Sequence, residues 1–188
     1  MSASPAPPIV LASTSPQRRA ILEQLGLPFD VVAPEYEEVG DDPVEHAVGK
    51  ARSVDGHERP VLGVDTVVSC GGRVLGKPGN AAEAESMLEF LGGKTHEVVS
   101  GLCLRTPAWE ATGREVTQVA FRPLTPRDLA WYLASAEWQN RAGAYAIQGR
   151  GAALVERIEG DYLNVVGLPA ALLVRLLAER VSGLYGFG

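Results

Sequence analysis

The sequence contains few of the residues that build disulfide frameworks or nitrogen- and sulfur-ligated metal centres. Among its 188 residues there are only two cysteines, Cys70 and Cys103, and three histidines. Neither set has the spacing of a zinc site. A disulfide-dense secreted scaffold is therefore excluded and a reducing compartment is expected. The histidines (His46, His57 and His96) are expected to have structural roles.

Long hydrophobic runs are also missing. No stretch reaches the roughly 18 apolar residues that a membrane-spanning helix needs, and the first ten residues lack the basic start and apolar core of a signal peptide. The sequence thus predicts a cytoplasmic protein. Its formal net charge of −6 argues against the broad basic surface that binds nucleic-acid polymers or anionic membranes, although it leaves room for a small basic pocket.

The chain is long enough for one large domain or two closely packed lobes, and 46% of its residues are hydrophobic. Predicted strands and helices alternate without a strict βαβ order, and no linker separates independent domains. We therefore expect residues 1–188 to form one domain with an α/β (or α+β) fold, in which a mixed sheet with flanking helices forms two lobes around a central cleft.

Hydrophobic periodicity and turn residues give the expected elements. Strands are predicted at 8–13, 29–32, 61–68, 73–75, 95–105 and 115–122. Helices are predicted at 16–25, 43–53, 81–91, 126–135 and 169–180. Residues 151–158 and 162–166 are predicted to pair as a hairpin around Gly160 and Asp161.

The first candidate site is segment 13–19 (STSPQRR), which links a predicted strand to a predicted helix. Ser15 is expected to cap this helix and Pro16 to occupy its first position. A helix N-terminus favours anions, and the Ser13 hydroxyl and the Arg18 guanidinium suit phosphate oxygens. A capped helix with solvated arginines is the structural alternative, which this segment taken alone favours.

The second candidate is Asp65, in the apolar run 61–68 (VLGVDTVV). Burying an ionised carboxylate is costly unless a metal ion or a lysine lies beside it. Burial would also tune the carboxyl pKa for base catalysis. A structural, hydrogen-bonded aspartate at a strand end is the alternative, and we favour the functional role.

Two further segments are rich in glycine. Residues 71–78 (GGRVLGKP) nearly match a phosphate-binding P-loop, but Pro78 replaces the metal-binding Ser or Thr and removes a backbone N–H. We therefore predict a hairpin turn there, from which Lys77 can still reach a phosphate. In residues 143–151 (GAYAIQGRG), glycines permit close approach to a ligand, and Gln148 offers a donor and an acceptor to a base. An ordinary turn is the alternative for this last segment.

Taken in order, these segments resemble the Maf family of nucleotide pyrophosphatases. Each motif alone is unspecific, but the set runs through nearly the whole chain in the family's order. The matching segments are 11–18 (LASTSPQR), 50–51 (KA), 63–68 (GVDTVV), 75–78 (LGKP), 93–98 (GKTHEV), 142–149 (AGAYAIQG) and 155–169 (VERIEGDYLNVVGLP).

The resemblance implies a metal-dependent hydrolase that converts a nucleoside triphosphate to the monophosphate and pyrophosphate. Asp65 would be the general base, and Glu38 with Asp65 would hold Mg²⁺, with Mn²⁺ or Co²⁺ as alternatives. A homodimer is implied by resemblance only. The cations that would bind the triphosphate are Arg18, Lys50 and Lys77, of which Lys50 and Lys77 complete the catalytic set with Asp65. Ser13 would add a hydroxyl contact, and Gln17 is also expected among the substrate-binding residues.

Substrate choice is implied by the same comparison. Gln148 resembles the dTTP/UTP-preferring branch, whereas relatives that act on 7-methyl-GTP carry glutamate there, so Thr66 and Gln148 would help to select the base. One departure is Gln17, which replaces the family's first arginine and removes a cation from the substrate-binding segment. A second is Ala136, where relatives often carry glycine.

Two other functions stay open. One is a nucleotide-binding regulator of cell division or septum formation. Gln17 suggests it, because a protein that loses a phosphate-facing arginine can bind a nucleotide as a sensor without hydrolysing it. The other is a pyrophosphatase that prefers 7-methyl-GTP.

Overall fold

The computed structural model describes residues 7–187. Within them the chain forms seven strands and six α-helices. The strands are β1 (Ile9–Ala12), β2 (Phe29–Val32), β3 (Val61–Cys70), β4 (Arg73–Leu75), β5 (Thr95–Thr106), β6 (Trp109–Phe121) and β7 (Val155–Glu159). The helices are α1 (Pro16–Gln24), α2 (Pro43–Arg52), α3 (Ala81–Leu91), α4 (Pro126–Leu133), α5 (Tyr162–Val166) and α6 (Ala170–Val181).

The strands form a mixed sheet in the order β2–β1–β3–β5–β6–β7, with β4 paired to β3. β1 runs parallel to both β2 and β3, with Ala12 opposite Val32 on one side and Gly63 on the other. β4 and β7 run antiparallel to β3 and β6. The mixed sheet with flanking helices is thus confirmed. No helix among the described residues is long and apolar enough to cross a membrane.

The hairpin at Gly71 and Gly72 forms as predicted, because both glycines have a positive φ (58° and 80°) that a tight turn between β3 and β4 requires. The segment is not a P-loop. The turn between β5 and β6 is shorter than predicted, since only Pro107 and Ala108 separate the two strands. Residues 109–114 are predicted from the sequence to be part of the loop, because one face of this segment is polar. In the structure they form the first half of β6.

The predicted hairpin at 151–166 is wrong. In its first half, residues 151–154 belong to a 3-10 helix (Arg150–Leu154), and only β7 is a strand, which pairs with β6. Residues 162–166 form α5, although Val165 and Val166 favour a strand by propensity. The Asp161 carboxylate accepts a hydrogen bond from the backbone N–H of Leu163 at 2.7 Å, which satisfies a donor at the helix start. Asn164, fully buried, donates its amide to the carbonyl of Val98 at 3.0 Å. These polar contacts outweigh the local preference.

The chain divides by its internal contacts into two compact units. Unit 1 contains the described residues up to Asp65, together with Ser100–Glu115 and the residues from Gly167 onward; unit 2 contains Thr66–Val99 and Val116–Val166. Each has its own core. In unit 2, aromatic and aliphatic side chains of α3, α4, β6 and the segment 144–154 pack together. The cleft between two lobes of one domain stays a prediction.

In unit 1, α2 lies unusually close to the sheet. A Cβ added at Gly63 of β3 would collide with the backbone carbonyl of Ala47 and the side chain of Ala51, and one at Gly101 of β5 would collide with the carbonyl of Pro43. Glycine is therefore required for this approach. The close packing brings the last turn of α2, which carries Lys50, down onto β3 two residues before Asp65.

Candidate active site

Five of the predicted site residues of unit 1 form one cluster, which we call the charged cluster: Ser13, Arg18, Glu38, Lys50 and Asp65. The sixth, Gln17, lies in the first turn of α1. Ser13 directly follows β1, and Asp65 lies in the parallel strand β3, two residues beyond the pairing of Gly63 with Ala12. The carboxyl ends of parallel strands are where ligands commonly bind in sheets of this kind. The topology therefore places these side chains where a ligand is expected.

Lys50 lies at the centre of the charged cluster. Its Nζ is 2.5 Å from Oδ1 of Asp65 and 2.6 Å from Oε1 of Glu38. Lys50 and Asp65 are only 8% and 7% exposed, whereas the side chain of Glu38 is 50% exposed. A buried charge needs a partner, and the sequence left a metal ion and a lysine open as partners for Asp65. In the structure the partner is Lys50.

Helix α2 positions Lys50. The Asp42 carboxylate accepts from the backbone N–H of Val44 at 2.8 Å and so caps the helix, and Pro43 occupies its first turn. At the other end, the Ser53 hydroxyl donates to the carbonyl of Lys50 at 2.9 Å. With both ends fixed, the lysine has a defined place over the sheet.

Arg18 joins the cluster from α1. Its Nη1 donates to the Ser13 hydroxyl at 3.1 Å and its Nε to the carbonyl of Gly167 at 3.0 Å. Burial lowers the pKa of the Arg18 guanidinium, while the negative charges of Asp65 and Glu38 oppose that shift. A cation held close to two carboxylates is thereby kept charged inside the protein. Sequence reasoning missed the role of Gly167, although it lies in the segment 155–169 that carries part of the family resemblance.

The N-terminus of α1 differs in one respect from the prediction. Ser15 stands at the cap position, but its side chain makes no capping hydrogen bond. The hydroxyl instead donates to Oε1 of Gln17 at 3.1 Å, and the Ser15 N–H donates to the Ser13 hydroxyl at 3.2 Å. The first turn is therefore not closed by its own cap residue. Gln17 contributes a neutral amide here where the family motif has a cation.

The remaining predicted site residues, Thr66, Lys77 and Gln148, belong to unit 2. Lys77 follows β4 and is exposed, as is Gln148. The segments that carry them meet at Gly143, whose N–H donates to the carbonyl of Gly76 at 3.1 Å. Gly143 has a φ of 67°, and a Cβ there would lie 3.1 Å from the Val68 side chain. β3, the residues after β4 and the loop 142–149 are thus in mutual contact within unit 2.

Sequence comparison identifies the group to which this arrangement belongs. The family described as Maf-like protein matches residues 8–180 of the chain. The chain belongs to the Maf-like family. The resemblance inferred from the ordered motifs is thereby confirmed.

Three similar members of the Maf-like family are each named dTTP/UTP pyrophosphatase. The protein of that name from Deinococcus radiodurans is 45% identical, with all of both chains covered. The one from Bacillus cytotoxicus is 45% identical over 93% of this chain and 96% of its own length. The one from Pyrococcus furiosus is 42% identical over 90% of this chain and 93% of its own length.

The Maf-like family implies a divalent metal ion, and the oxygen atoms that could bind one lie in the charged cluster. Within residues 7–187, no three His, Cys, Asp or Glu side chains gather into a ready-made metal cage. The charged cluster offers two carboxylates, Glu38 and Asp65, on either side of the Lys50 ammonium. Mg²⁺ is commonly bound through one or two carboxylates together with substrate phosphates and water. The two carboxylates fit an ion that binds together with a triphosphate.

His96 lies apart from the charged cluster, in unit 2. It is 2% exposed, its Nε2 is 2.9 Å from the Tyr145 hydroxyl, and its ring makes edge contacts with Phe121 and Tyr145. Burial lowers the pKa of His96 to about 4. The imidazole is therefore neutral at pH 7, which agrees with the structural role expected for it.

Proposed function

We propose that this Maf-like protein hydrolyses nucleoside triphosphates, with dTTP and UTP as its preferred substrates, to the nucleoside monophosphate and pyrophosphate. The names of relatives matched over nearly the whole chain support this activity. The observation that carries it is the charged cluster, in which the Lys50 ammonium contacts two carboxylates next to the Arg18 guanidinium.

The charges of the cluster suit a triphosphate. At pH 7 the substrate brings roughly four negative charges, because its terminal phosphate is doubly ionised. Arg18 and Lys50 offer two positive charges, and Lys77 is a third cation on a flexible stem. A divalent cation held by Glu38 and Asp65 together with phosphate oxygens would supply two more and polarise the phosphoryl group.

Asp65 is the proposed general base. Its Oδ1 lies 2.5 Å from the Lys50 ammonium, and a carboxylate at this place can take a proton from an attacking water. The water oxygen bonds to the α-phosphorus, the bond from that phosphorus to the bridging oxygen breaks, and pyrophosphate leaves with the bonding electrons. Fixed charges around the reacting phosphate supply most of the acceleration, as is usual for phosphoryl transfer.

Base selection is assigned to Gln148, with help from Thr66. The amide of Gln148 carries both donors and an acceptor, which match the O4 carbonyl and the N3–H of uracil or thymine. Its side chain is exposed and can meet a base. A cytoplasmic location and a homodimer stay predictions.

A nucleotide panel tests the proposal. Pyrophosphate release would be measured with UTP, dTTP, CTP, GTP and 7-methyl-GTP, each with Mg²⁺, Mn²⁺, Co²⁺ or a chelator. We expect the highest kcat/KM with UTP and dTTP and a loss of turnover with the chelator. Equal or better turnover of 7-methyl-GTP would contradict the substrate preference. Tight UTP binding by calorimetry without hydrolysis under any metal would favour the regulator that Gln17 suggests.

A further inference from the structure

Helix α4 and the turn that follows it support the loop that carries Gln148. Tyr132 from the last turn of α4 is fully buried, and its hydroxyl oxygen accepts a hydrogen bond from the backbone N–H of Ala146 at 2.9 Å. Burial raises the pKa of Tyr132 to about 12, so the hydroxyl stays neutral at physiological pH. The backbone two residues before Gln148 is thereby tied to the core of unit 2.

Glu137 provides a matching support on the other side of Gln148. Its Oε2 accepts from the backbone N–H of Arg150 at 2.7 Å. The carboxylate also lies so close to Gly149 that a Cβ at that position would collide with it. The Arg150 guanidinium lies over the Trp131 ring, 5.7 Å from its centroid. The backbone two residues after Gln148 is thus held by the same element, α4 and its C-terminal turn.

The two hydrogen bonds bracket Gln148 at positions 146 and 150. The side chain between them is exposed, while the backbone that bears it is held on both sides. An amide can distinguish bases by their donors and acceptors only if it is placed to within about 0.5 Å and 10–20°. A flexible backbone would let the amide shift and accept several bases.

We propose that Tyr132 and Glu137 are positioning residues that set nucleotide selectivity by fixing the backbone on either side of Gln148. This inference rests on the proposed function, because it assigns base recognition to Gln148. Neither residue touches the reacting phosphates in this account. Their removal should therefore alter the choice among nucleotides more than the rate of the chemical step.

The test compares four variants by steady-state kinetics with UTP, CTP and 7-methyl-GTP. Glu137→Ala and Tyr132→Phe each remove one support. Glu137→Gln keeps an oxygen that can accept from Arg150. Glu85→Ala, at an exposed position of α3, is the matched control. Thermal melting of each variant separates loss of fold from loss of selectivity.

We expect Glu137→Ala and Tyr132→Phe to reduce the preference for UTP over the other nucleotides by about tenfold, since small displacements of contact groups have effects of this order or larger. The change should appear mainly in KM. Glu137→Gln should restore most of the preference, and Glu85→Ala should leave it unchanged. A fall in kcat/KM by the same factor for every nucleotide would show a merely structural role and overturn the proposal.

A double-mutant cycle makes the test specific to Gln148. In a Gln148→Ala background, Glu137→Ala should change the UTP preference by less than about twofold, because the amide to be positioned is gone. An undiminished tenfold effect in that background would overturn the proposal. If Glu137→Ala does not fold, Tyr132→Phe in the same cycle decides, since it removes only a hydroxyl. A wild-type chain that releases no pyrophosphate would instead contradict the proposed function itself.

Discussion

The two units carry their candidate residues in opposite ways. In unit 1, charged side chains neutralise one another: Lys50 and Asp65 are nearly buried, and Glu38 and Arg18 complete the set. In unit 2, Lys77 and Gln148 are exposed and the backbone beneath Gln148 is held instead. Charges that stabilise a reacting phosphate act best when fixed in a low-dielectric site. A side chain that reads a base must stay accessible while its backbone is fixed.

The largest effect is expected for Asp65→Asn, which tests whether the charges of unit 1 carry the chemical step. The substitution removes a charge and keeps the shape of the side chain. Loss of a general base typically costs between about a hundredfold and ten-thousandfold in rate. We expect kcat for pyrophosphate release to fall within that range. The factor should be the same for every nucleotide, because base selection is assigned to unit 2.

The control for Asp65→Asn is Asp41→Asn, an equal charge change at an exposed position of unit 1. It should retain full activity. Near-normal turnover by Asp65→Asn would remove Asp65 from the mechanism, and a change in nucleotide preference would contradict the division of roles between the units.

A second prediction concerns the pH dependence of stability in unit 2. The pKa of His96 is about 4 in the folded chain and about 6.5 in an unfolded one. Between these values the unfolded chain binds a proton that the folded chain does not. Stability therefore falls as the pH falls through this range, by about 2–3 kcal/mol, and is unaffected by this group above pH 6.5.

The variant His96→Gln checks this by urea unfolding at pH 7 and pH 4.5. It should lose less stability than the wild type on acidification, by about 2 kcal/mol. The variant will be less stable at pH 7, because the hydrogen bond to Tyr145 and the ring contacts change. Parallel losses of stability in the two proteins would show that His96 does not titrate as described.

The smallest expected effect is at Ala136, in the turn that precedes Glu137. Its φ is 58°, a left-handed conformation that costs alanine about 1–2 kcal/mol. Glycine avoids this cost, but it also raises the conformational entropy of the unfolded chain, which offsets part of the gain in stability. We expect Ala136→Gly to raise the free energy of unfolding by about 0.5 kcal/mol and to leave nucleotide preference unchanged. The opposite sign is expected for Ala134→Gly, since Ala134 has a φ of −63°. A stability loss at both positions would contradict this interpretation.

Local signals predicted the parts of the fold that depend on a few neighbouring residues. β2, β4 and α3 begin and end where glycine, proline and cap residues place them; at α3 the Asn80 side chain accepts from the N–H of Glu83 at 2.9 Å. The sequence could not predict α5, because the contacts of Asn164 that favour it come from Val98 and Thr117, 66 and 47 residues away along the chain. Nor did any local pattern mark Tyr132 or Glu137 as supports of the Gln148 loop.

The sequence by itself determined the alternation of strands and helices, the order of the family motifs and the need of Asp65 for a counter-charge. These follow from short-range sterics, hydrophobic periodicity and the cost of burying a carboxylate. Only the tertiary structure decided which cation meets Asp65, and that Arg18 reaches the carbonyl of Gly167, 149 residues away. The Lys50 contact depends on the close packing of α2 on glycines in the sheet, and both contacts join residues that are distant along the chain, so no local pattern specifies them.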